Sequence, residues 1–399
     1  MKVLYFVNSG KTGCQHGLAK GNRNLMESGV KILGIESSCD ETAAAVVVDG
    51  QAILSSVVAS QIDIHRKYGG VVPELASREH LRQIVPVVRE ALEQAGLKFE
   101  ELDALGVTQG PGLVGSLLVG ITYGKTLAAA MGKPLIPVNH LEGHVYAVFL
   151  EAYAHGEMPK LPAVCLIVSG GHTILYEVKS AGQNGAAPFV YRKLGGTRDD
   201  AAGEAYDKVA KLLGLGYPGG PILDRLAAAA GNVPAPVKFG PTKTRGNALD
   251  FSFSGLKTAV LYHLREHPEY VEGIRKRQEA LREGPRAFAE LLSLCDTATL
   301  GLVREFQRAV VRDLTERTMV AVDACGVETI LVSGGVASNS ELRKIFEERA
   351  RERGVRVYFP DWALSTDNAA MIAAAAYAGY TQGKFADVEL NAKASMPLA

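Results

Sequence analysis

The sequence predicts a mixed α/β fold made of two similar halves that face each other across a cleft. Two observations predict it. Each half contains two strands joined by a short polar turn, and later a strand, a glycine-rich loop and a helix. The chain of 399 residues also exceeds the roughly 250–300 residues that a single hydrophobic core serves. One large mixed α/β domain without duplication is the alternative interpretation.

The predicted elements of the first half begin at residue 31. Strands are expected at 31–36, 43–48, 52–58, 102–108 and 135–138, and helices at 72–95, after 112 as far as Met131, and from His140 onward. A polar turn at 37–42 joins the first two strands. Its small side chains lie where a strand pair would point into a cleft.

The second half repeats this order. Strands are expected at 162–168, 173–178, 329–332 and 355–359, and helices from Ser340 and at 367–380. A polar turn at 169–172 joins the first two of these strands, and a glycine-rich loop at 333–339 follows the third. Residues 251–258 alternate like an edge strand that then turns, and residues 217–221 read as a rigid turn. The charged stretch 261–286 interleaves acids with bases, which favours a solvated helix over a nucleic-acid stripe.

The composition excludes several classes of protein. The chain has 43 basic and 43 acidic side chains, so a polyanionic partner must be held by a local patch or by other subunits. Five scattered cysteines without a CxxC pair argue against a disulfide framework and a zinc knuckle. No run of about 18 apolar residues suggests a membrane span, and the N-terminus lacks the features of a secretory signal. A cytoplasmic protein is expected.

The sequence resembles two nucleotide-binding motifs in places but lacks other residues that those motifs require. Residues 110–115 fit GxGxxG, yet residues 127–138 contain no acid that could bind a ribose, as the dinucleotide fingerprint requires. The GK[ST] sequence at 10–12 has Tyr5 where a P-loop needs glycine, and the stretch 120–126 is one residue short. Neither stretch is expected to bind a nucleotide by these mechanisms.

The sharpest local motif is His140-Leu141-Glu142-Gly143-His144. Histidines four residues apart share one face of a helix and can hold one metal ion. Glu142 points elsewhere, so it cannot act as the base of a zinc peptidase without unwinding the helix. Asp367 is the candidate third ligand, although an acid at a helix start is more often an N-cap. An ordinary pair of histidines is the alternative.

Three small-residue turns, at 37–42, 169–173 and 333–339, are suited to phosphate or adenylate. Glycine lets the backbone approach an anion, and free N–H groups bind it. Each turn alone could be an ordinary tight turn, but the three recur at repeated positions. Asp207, on a predicted helix, could hold a ribose hydroxyl, while a solvated acid is the alternative.

Together these residues resemble the tRNA N6-adenosine threonylcarbamoyltransferase family, that is, bacterial TsaD-like proteins formerly described as O-sialoglycoprotein endopeptidases. The resemblance runs from about residue 31 to 398. It rests on eight motifs in order, at 34–43, 68–74, 109–115, 140–144, 168–173, 199–208, 251–258 and 366–371.

The resemblance implies a two-lobed actin-like/sugar-kinase (ASKHA) fold, with lobe I at 31–145, lobe II at 146–375 and a C-terminal segment 376–399 that packs back on lobe I. It implies transfer of a threonylcarbamoyl group from threonylcarbamoyl-AMP to N6 of the adenosine beside the anticodon, position 37, in tRNAs that read codons beginning with A. It also implies one divalent metal, Fe²⁺ with Zn²⁺ as the alternative. The implied partners are tRNA, an inactive paralogue and a small ATPase.

The resemblance also assigns roles to residues. The metal ligands would be His140, His144 and Asp367, and the cleft acid/base or orienting groups would be Asp40 and Glu41. The adenylate would be held by Ile167, Val168, Ser169, Gly170, Gly171, Asp207, Gly220, Asp224 and Asn339.

Several features depart from the family pattern. Residues 1–30 precede the usual start, and Met26 is an alternative initiator, so they are interpreted as an extension with a mis-assigned start. Gly196 stands where the family more often has Glu, and Ser365 where it often has Cys. Extra length falls near 180–188 and 266–297. The departures bear on partner surfaces and remove none of the proposed ligands.

Three rival classes share some of these features. A small-molecule kinase of the same fold would have phosphate turns but no use for His140 and His144. A metallopeptidase would need a base beside its metal-bound water. A non-catalytic actin-like scaffold would bind ATP and leave tRNA unmodified.

Overall fold

The computed structural model describes residues 3–5, 28–182, 188–242, 244 and 246–398. In this part of the chain two mixed β-sheets form. The first contains β1 (Val3–Tyr5), β2 (Lys31–Glu36), β3 (Glu41–Val48), β4 (Ala52–Ser60), β5 (Ala104–Gly110) and β6 (Leu135–Asn139). The second contains β7 (Ala163–Val168), β8 (Thr173–Ser180), β9 (Phe189–Gly196), β10 (Thr329–Ser333) and β11 (Arg356–Tyr358).

The two sheets have the same topology. The first has the strand order β1-β4-β3-β2-β5-β6 and the second β11-β10-β7-β8-β9. In each sheet an antiparallel hairpin, β2–β3 or β7–β8, is continued by a third antiparallel strand and flanked on the other side by two parallel strands. The predicted duplication is therefore confirmed, and the alternative of one large mixed α/β domain without duplication is wrong.

The helices in the described residues vary widely in length. They are α1 (Ile62–His65), α2 (Pro73–Ala95), α3 (Val114–Met131), α4 (His140–His155), α5 (Ala202–Leu212), α6 (Gly219–Ala229), α7 (Ser254–Glu266), α8 (Tyr270–Arg282), α9 (Phe288–Ser293), α10 (Thr297–Cys325), α11 (Ser340–Arg353), α12 (Trp362–Ser365) and α13 (Ala369–Thr381). Short 3-10 helices span Arg66–Tyr68, Phe99–Glu101 and Gly335–Ser338.

The strands of the first sheet are buried on both faces, because alternate side chains enter different cores. Along β2, Ile32 joins the core between the sheets while Leu33 and Ile35 join the core under α2 and α3. This period of two is what a strand imposes. Helices α4 and α13 lie between the two sheets, and a third core covers the outer face of the second sheet with α5, α6 and α10.

Close packing between α13 and β2 depends on one glycine. A Cβ at Gly34 would lie 2.3 Å from the carbonyl oxygen of Ala369 and 2.7 Å from the amide nitrogen of Ala373. The helix can therefore approach the strand only because residue 34 lacks a side chain. This contact brings the start of α13 next to the end of β2.

Some predicted elements differ in the structure. Residues 251–258 do not form an edge strand: Phe251 makes an isolated bridge with Thr197, and α7 begins at Ser254. The reason is Asp199, whose carboxylate accepts the Phe253 and Ser254 amides and so starts the helix. The predicted rigid turn at 217–221 gives way to α6 after residue 218.

The two ends of the chain contact the first sheet. The Ala386 amide donates to the Leu135 carbonyl at 2.7 Å, and the Lys393 amide to the Gln109 carbonyl at 2.9 Å. Strand β1 pairs antiparallel with β4. The rest of the predicted extension at 1–30, apart from residues 28–30, lies outside the described residues, and so do 183–187 of the polar loop 180–188.

Among the described residues, one helix has the length and composition of a membrane span, which the sequence did not predict. Helix α3 has 18 residues and a mean hydropathy of 1.3, and a third of it is buried. Its Ser, Thr, Tyr and Lys residues interrupt the apolar run without lowering the mean far. Core helices meet the same measure, and α3 packs against α2 and β5.

Candidate metal centre and active-site cleft

The two histidines of the HLEGH motif lie one turn apart at the start of α4. Strand β6 ends at Asn139, whose side chain accepts the Leu141 amide at 2.9 Å and caps the helix. This cap fixes where the helix begins, so His140 and His144 face the same side. Both side chains are buried.

Asp367 completes the cluster. Its Oδ1 atom lies 3.6 Å from His140 Nε2 and 3.5 Å from His144 Nε2, and the ligand atoms of the three residues lie within 4.8 Å of one another. Asp367 is not the N-cap of the last helix. Asn368 has that role and accepts the Met371 amide at 3.0 Å. Because the neighbour caps the helix, the Asp367 carboxylate is directed to the histidines.

The donor set suits a divalent metal. Among the residues that the structure describes, neither ring nitrogen of His144 has a hydrogen-bond partner, although Nε2 approaches Asp367. Leaving buried polar atoms unpaired costs free energy, so an unpartnered imidazole inside a cleft indicates a ligand. Two imidazoles and one carboxylate are a typical ligand set for iron or zinc.

The charges of the cluster are coupled. Burial alone would lower the pKa of His140, but the carboxylates of Asp367 and Glu36 outweigh it and raise that pKa to about 9. Burial lowers the pKa of His144, which keeps this imidazole neutral. Burial would raise the pKa of Asp367, but the two histidines hold it well below its usual value. The cluster therefore presents one neutral imidazole and a permanent carboxylate.

Glu36 supports His140 from behind, a role that sequence reasoning missed. Its Oε2 atom accepts from His140 Nδ1 at 2.9 Å and from Thr108 Oγ1 at 2.8 Å, and Oε1 accepts the Ser38 amide at 2.5 Å. Glu36 is completely buried at the end of β2. The available signal was an acid that directly follows the apolar run Ile32–Ile35. A carboxylate bonded to Nδ1 orients the other nitrogen toward a metal.

Replacing Glu36 with glutamine should weaken metal binding about 10- to 100-fold, because the amide cannot hold the Nδ1 proton as a carboxylate does. Competition with a chelator on the purified chain measures this affinity. Glu142→Gln is the control: Glu142 lies between the two histidines on α4, but it accepts from the Tyr191 hydroxyl at 3.2 Å and not from a histidine. Equal metal affinity in the two variants would contradict the role given to Glu36.

The acidic turn after β2 is held by a buried histidine. His80 Nε2 donates to the Cys39 carbonyl at 2.9 Å, and Nδ1 accepts from the Thr42 hydroxyl at 2.7 Å. Asp40 and Glu41 lie between these two anchors. Glu41 accepts from the Ser60 hydroxyl, and burial together with the nearby Asp40 and Asp367 charges raises its pKa well above the usual value.

The second polar turn lies beside the metal cluster. The imidazole rings of His172 and His140 are 6.2 Å apart. The Ser169 amide donates to the His172 carbonyl at 2.8 Å, and the Ser169 hydroxyl accepts the His172 amide. Ile167 and Val168 are buried at the end of β7, whereas Gly170 and Gly171 are exposed. The glycines therefore present bare backbone to the cleft.

Asp207 and Gly220 meet where α5 approaches the start of α6. The Asp207 carboxylate accepts the Gly219 amide at 2.7 Å, and Gly220 follows in the first turn of α6. Burial raises the pKa of Asp207 to about 6 despite this hydrogen bond. The nearby negative charge of Asp40 also contributes to this raised pKa.

Asp224 and Asn339 also meet, through a shared glutamine. Gln307 donates to the Asp224 carboxylate at 3.2 Å and accepts from the Asn339 amide at 2.8 Å. Asp224 accepts the Ser340 amide and hydroxyl as well, and Asn339 caps α11. Both predicted residues are thus already hydrogen-bonded to protein. The neighbouring Tyr206 hydroxyl is buried and has no hydrogen-bond partner among the described residues.

Comparisons with known proteins show the family of the chain. A family model described as tRNA N6-adenosine threonylcarbamoyltransferase matches residues 52–374. A relative of that name from Koribacter versatilis is 54% identical over 382 residues, covering 92% of this chain and 98% of the relative. Another from Symbiobacterium thermophilum is 50% identical over 361 residues, covering 90% and 95%.

A solved structure shows the fold. Full-length HypF in a phosphate- and nucleotide-bound form aligns with a TM-score of 0.50 at 11% identity, covering 88% of this chain and 55% of HypF. The likeness and the duplicated sheets define a two-lobed protein of the actin-like class with a candidate metal centre in its cleft. Within that class, the chain belongs to the tRNA N6-adenosine threonylcarbamoyltransferase family.

Membership in this family confirms the resemblance seen in the sequence motifs. The chain is an acyltransferase that acts on tRNA, and the family implies a divalent metal. The kinase and metallopeptidase alternatives find no support in the names of these relatives. Glu142 also contacts Tyr191 on β9, which is not the place of a base beside a metal-bound water.

Proposed function

We propose that the cleft binds threonylcarbamoyl-AMP and transfers its threonylcarbamoyl group to N6 of adenosine 37 in tRNAs that read codons beginning with A. The observation that carries the proposal is the juxtaposition of the His140–His144–Asp367 cluster with the Ser169–His172 turn. An anhydride between a carbamate and a phosphate is already activated, so positioning and charge stabilisation supply most of the catalysis.

The adenylate is held by backbone and by carboxylates. The amides of Gly170 and Gly171 donate to the phosphate, since these two residues leave their backbone exposed. The Asp207 carboxylate accepts ribose hydroxyls beside the open backbone of Gly220, where a Cβ would meet nothing within 4 Å. Asp224 and Asn339, which Gln307 joins by hydrogen bonds, form the end of the adenylate site away from the phosphate. The Tyr206 hydroxyl is an additional hydrogen-bond donor there.

The proposed metal is Fe²⁺, with Zn²⁺ as the alternative, held by His140, His144 and Asp367. Such an ion supplies Lewis-acid polarisation of a carbamoyl or phosphate oxygen when bound. Glu36 keeps the His140 ring in place, and the neutral His144 imidazole offers a lone pair. Metal analysis of the chain purified without oxygen, and again in air, distinguishes the two ions.

The transfer step needs a proton acceptor. The bond from N6 to the carbamoyl carbon forms as the bond from that carbon to the phosphate oxygen breaks, and AMP leaves with the electron pair. The N6 proton goes to Asp40 or Glu41 at the start of β3. A carboxylate with a raised pKa is the stronger base, which favours Glu41 when it enters the step ionised.

The acceptor adenosine must be unpaired and splayed out to reach the cleft, as a base in the anticodon loop can be. Because the chain as a whole is neutral, we propose that capture of tRNA depends on an inactive paralogue and a small ATPase as partner subunits in the cytoplasm. Tight, salt-insensitive binding of tRNA by the isolated chain would contradict this dependence.

Mass spectrometry of tRNA nucleosides tests the reaction. The chain and its partner enzymes are incubated with tRNA, threonine, bicarbonate and ATP, and then in a second series with threonylcarbamoyl-AMP supplied directly. We expect N6-threonylcarbamoyladenosine at position 37 and one AMP released for each modified nucleoside. Product without this chain, or no product when threonylcarbamoyl-AMP is supplied to the complete set, would refute the proposal.

The donor should bind more weakly in acid. With its pKa near 6, Asp207 is ionised above that pH and protonated below it, and only the carboxylate accepts two ribose hydrogen bonds. The KM for threonylcarbamoyl-AMP should therefore rise as the pH falls through about 6. The Asp207→Asn variant should have a high KM that no longer changes there. If the KM of the Asp207→Asn variant rose by the same factor as the pH fell through about 6, the titrating group would be a different residue.

A further inference from the structure

The established transfer to tRNA leaves open what the protein offers to the nucleotides beside the target adenosine. A short arch, residues 61–70, passes from the acidic turn to the mouth of the cleft. The first residue of the arch is held by the acidic turn, because the Gln61 amide donates to the Asp40 carbonyl at 3.0 Å. The fully buried His65 donates to Gln61 Oε1 and accepts the Val72 amide, at 3.2 and 3.3 Å. The arch is thus tied to the reacting groups.

The far side of the arch touches the other lobe. Arg66, paired with Asp63 at 2.7 Å, also donates through Nε to the Tyr217 carbonyl at 3.4 Å. The Lys211 ammonium lies over Gly69, since a Cβ there would be 3.5 Å from Lys211 Nζ. Lys211 follows Asp207 by four residues on α5, so the two share one face of that helix. The arch therefore borders the proposed adenylate site.

The outer surface of the arch has the chemistry of an RNA contact. Tyr68 is 55% exposed, a large fraction for an aromatic side chain. Lys67 and Lys211 are exposed on either side of it, and in the described part of the chain neither ammonium forms an ion pair. Unpaired cations bind phosphates, and an exposed ring stacks on an unpaired base without selecting its identity.

We propose that Tyr68, Lys67 and Lys211 form the landing surface for the anticodon loop, with Tyr68 stacked on a base next to the target adenosine and the two lysines on adjacent phosphates. The splayed adenosine enters the cleft between the arch and lobe II, while its neighbours remain outside. A neutral chain needs such a local patch to position a polyanion. Arg66 is a brace that holds the arch against lobe II.

Steady-state kinetics of the assembled enzyme, with tRNA and threonylcarbamoyl-AMP varied separately, tests this surface. Tyr68→Ala should raise the KM for tRNA about five- to a hundredfold, and Tyr68→Phe should stay close to wild type because stacking is retained. Lys67→Glu and Lys211→Glu should each raise the KM for tRNA. Each should also reduce the slope of log KM for tRNA against log salt concentration by about 0.7 or more. The KM for threonylcarbamoyl-AMP and the metal content should not change.

Two exposed residues serve as matched controls. Tyr262 is 56% exposed on α7, and Lys160 is exposed before β7, at the end of that strand opposite the Ser169 turn. Tyr262→Ala and Lys160→Glu should leave both KM values unchanged. If these control variants raised the KM for tRNA as much as the Tyr68, Lys67 and Lys211 variants do, the proposed landing surface would be refuted.

An abasic series locates the stacked base. Anticodon stem-loop RNAs that lack the base on one side or the other of the target adenosine are compared with wild type and Tyr68→Ala. If Tyr68 stacks on one neighbour, loss of that base should abolish the effect of Tyr68→Ala. An unchanged effect with every abasic RNA, or a Tyr68→Ala defect confined to the KM for threonylcarbamoyl-AMP, would overturn the proposal and leave the transfer itself intact.

Discussion

Replacing His144 with leucine should abolish metal binding while the chain stays folded. The His144 ring is completely buried, and among the described residues its nitrogens have no hydrogen-bond partner. Leucine fills a similar volume and removes two unpaired polar atoms, which offsets the loss of the His144 ring beside Asp367, and His140 still faces that carboxylate. The free energy of unfolding without metal should therefore change little. Affinity for Fe²⁺ or Zn²⁺ should fall more than about a hundredfold, beyond the loss typical of a supporting residue, and tRNA modification should disappear.

Thermal unfolding with and without metal measures both effects. A ligand that binds the native state raises the midpoint of unfolding, so added metal should stabilise the wild type and not the variant. His155→Leu is the control, because His155 lies on the same helix, is exposed, and pairs with Glu151. A destabilised His144→Leu chain that still binds metal would show that this histidine is a structural core residue.

The metal site illustrates what a sequence can predict. The spacing of His140 and His144 places them on one helix face, whatever the fold is. More than two hundred residues separate Asp367 from the histidines, so the sequence alone offered it only as a candidate third ligand, and the family resemblance supported that assignment. That Asn368 takes over the cap and frees Asp367 depends on local geometry at the start of α13. The spacing of nearby residues therefore predicts which side chains share a helix face. It does not predict which distant residues the fold brings next to them.

Other parts of the site depended on partners distant in sequence. The role of Glu36 in orienting His140 could not be predicted, because the two residues are 104 positions apart and only the fold brings them into contact. Asp224 and Asn339 were assigned to the adenylate, and the structure adds that Gln307 joins them. Strand β9 and the long helix α10 were not predicted. The burial along β9 is irregular, since the strand lies at a sheet edge.

The phosphate turn should be as sensitive to a neighbour as to its own residues. Gly203 is the second residue of α5 and lies directly under the turn. A Cβ at this position would be 2.6 Å from the Ser169 carbonyl oxygen, 2.7 Å from Gly170 Cα and 2.9 Å from the Gly170 amide nitrogen. These are backbone atoms, so the turn itself must move when Gly203 becomes alanine.

Gly203→Ala should therefore weaken binding of threonylcarbamoyl-AMP about 5- to 150-fold, since an overpacked contact costs about 1–3 kcal/mol and 1.4 kcal/mol is a factor of ten. Metal content should stay at the wild-type level, because the three proposed ligands come from other elements. Gly255→Ala is the matched control: Gly255 is also the second residue of its helix, and a Cβ there would meet nothing within 4 Å. Calorimetric titration with a non-hydrolysable adenylate analogue compares the two. Equal affinity would mean that the amides of Gly170 and Gly171 do not hold the phosphate. Loss of metal from Gly203→Ala alone would mean that the turn and the metal cluster move as one unit.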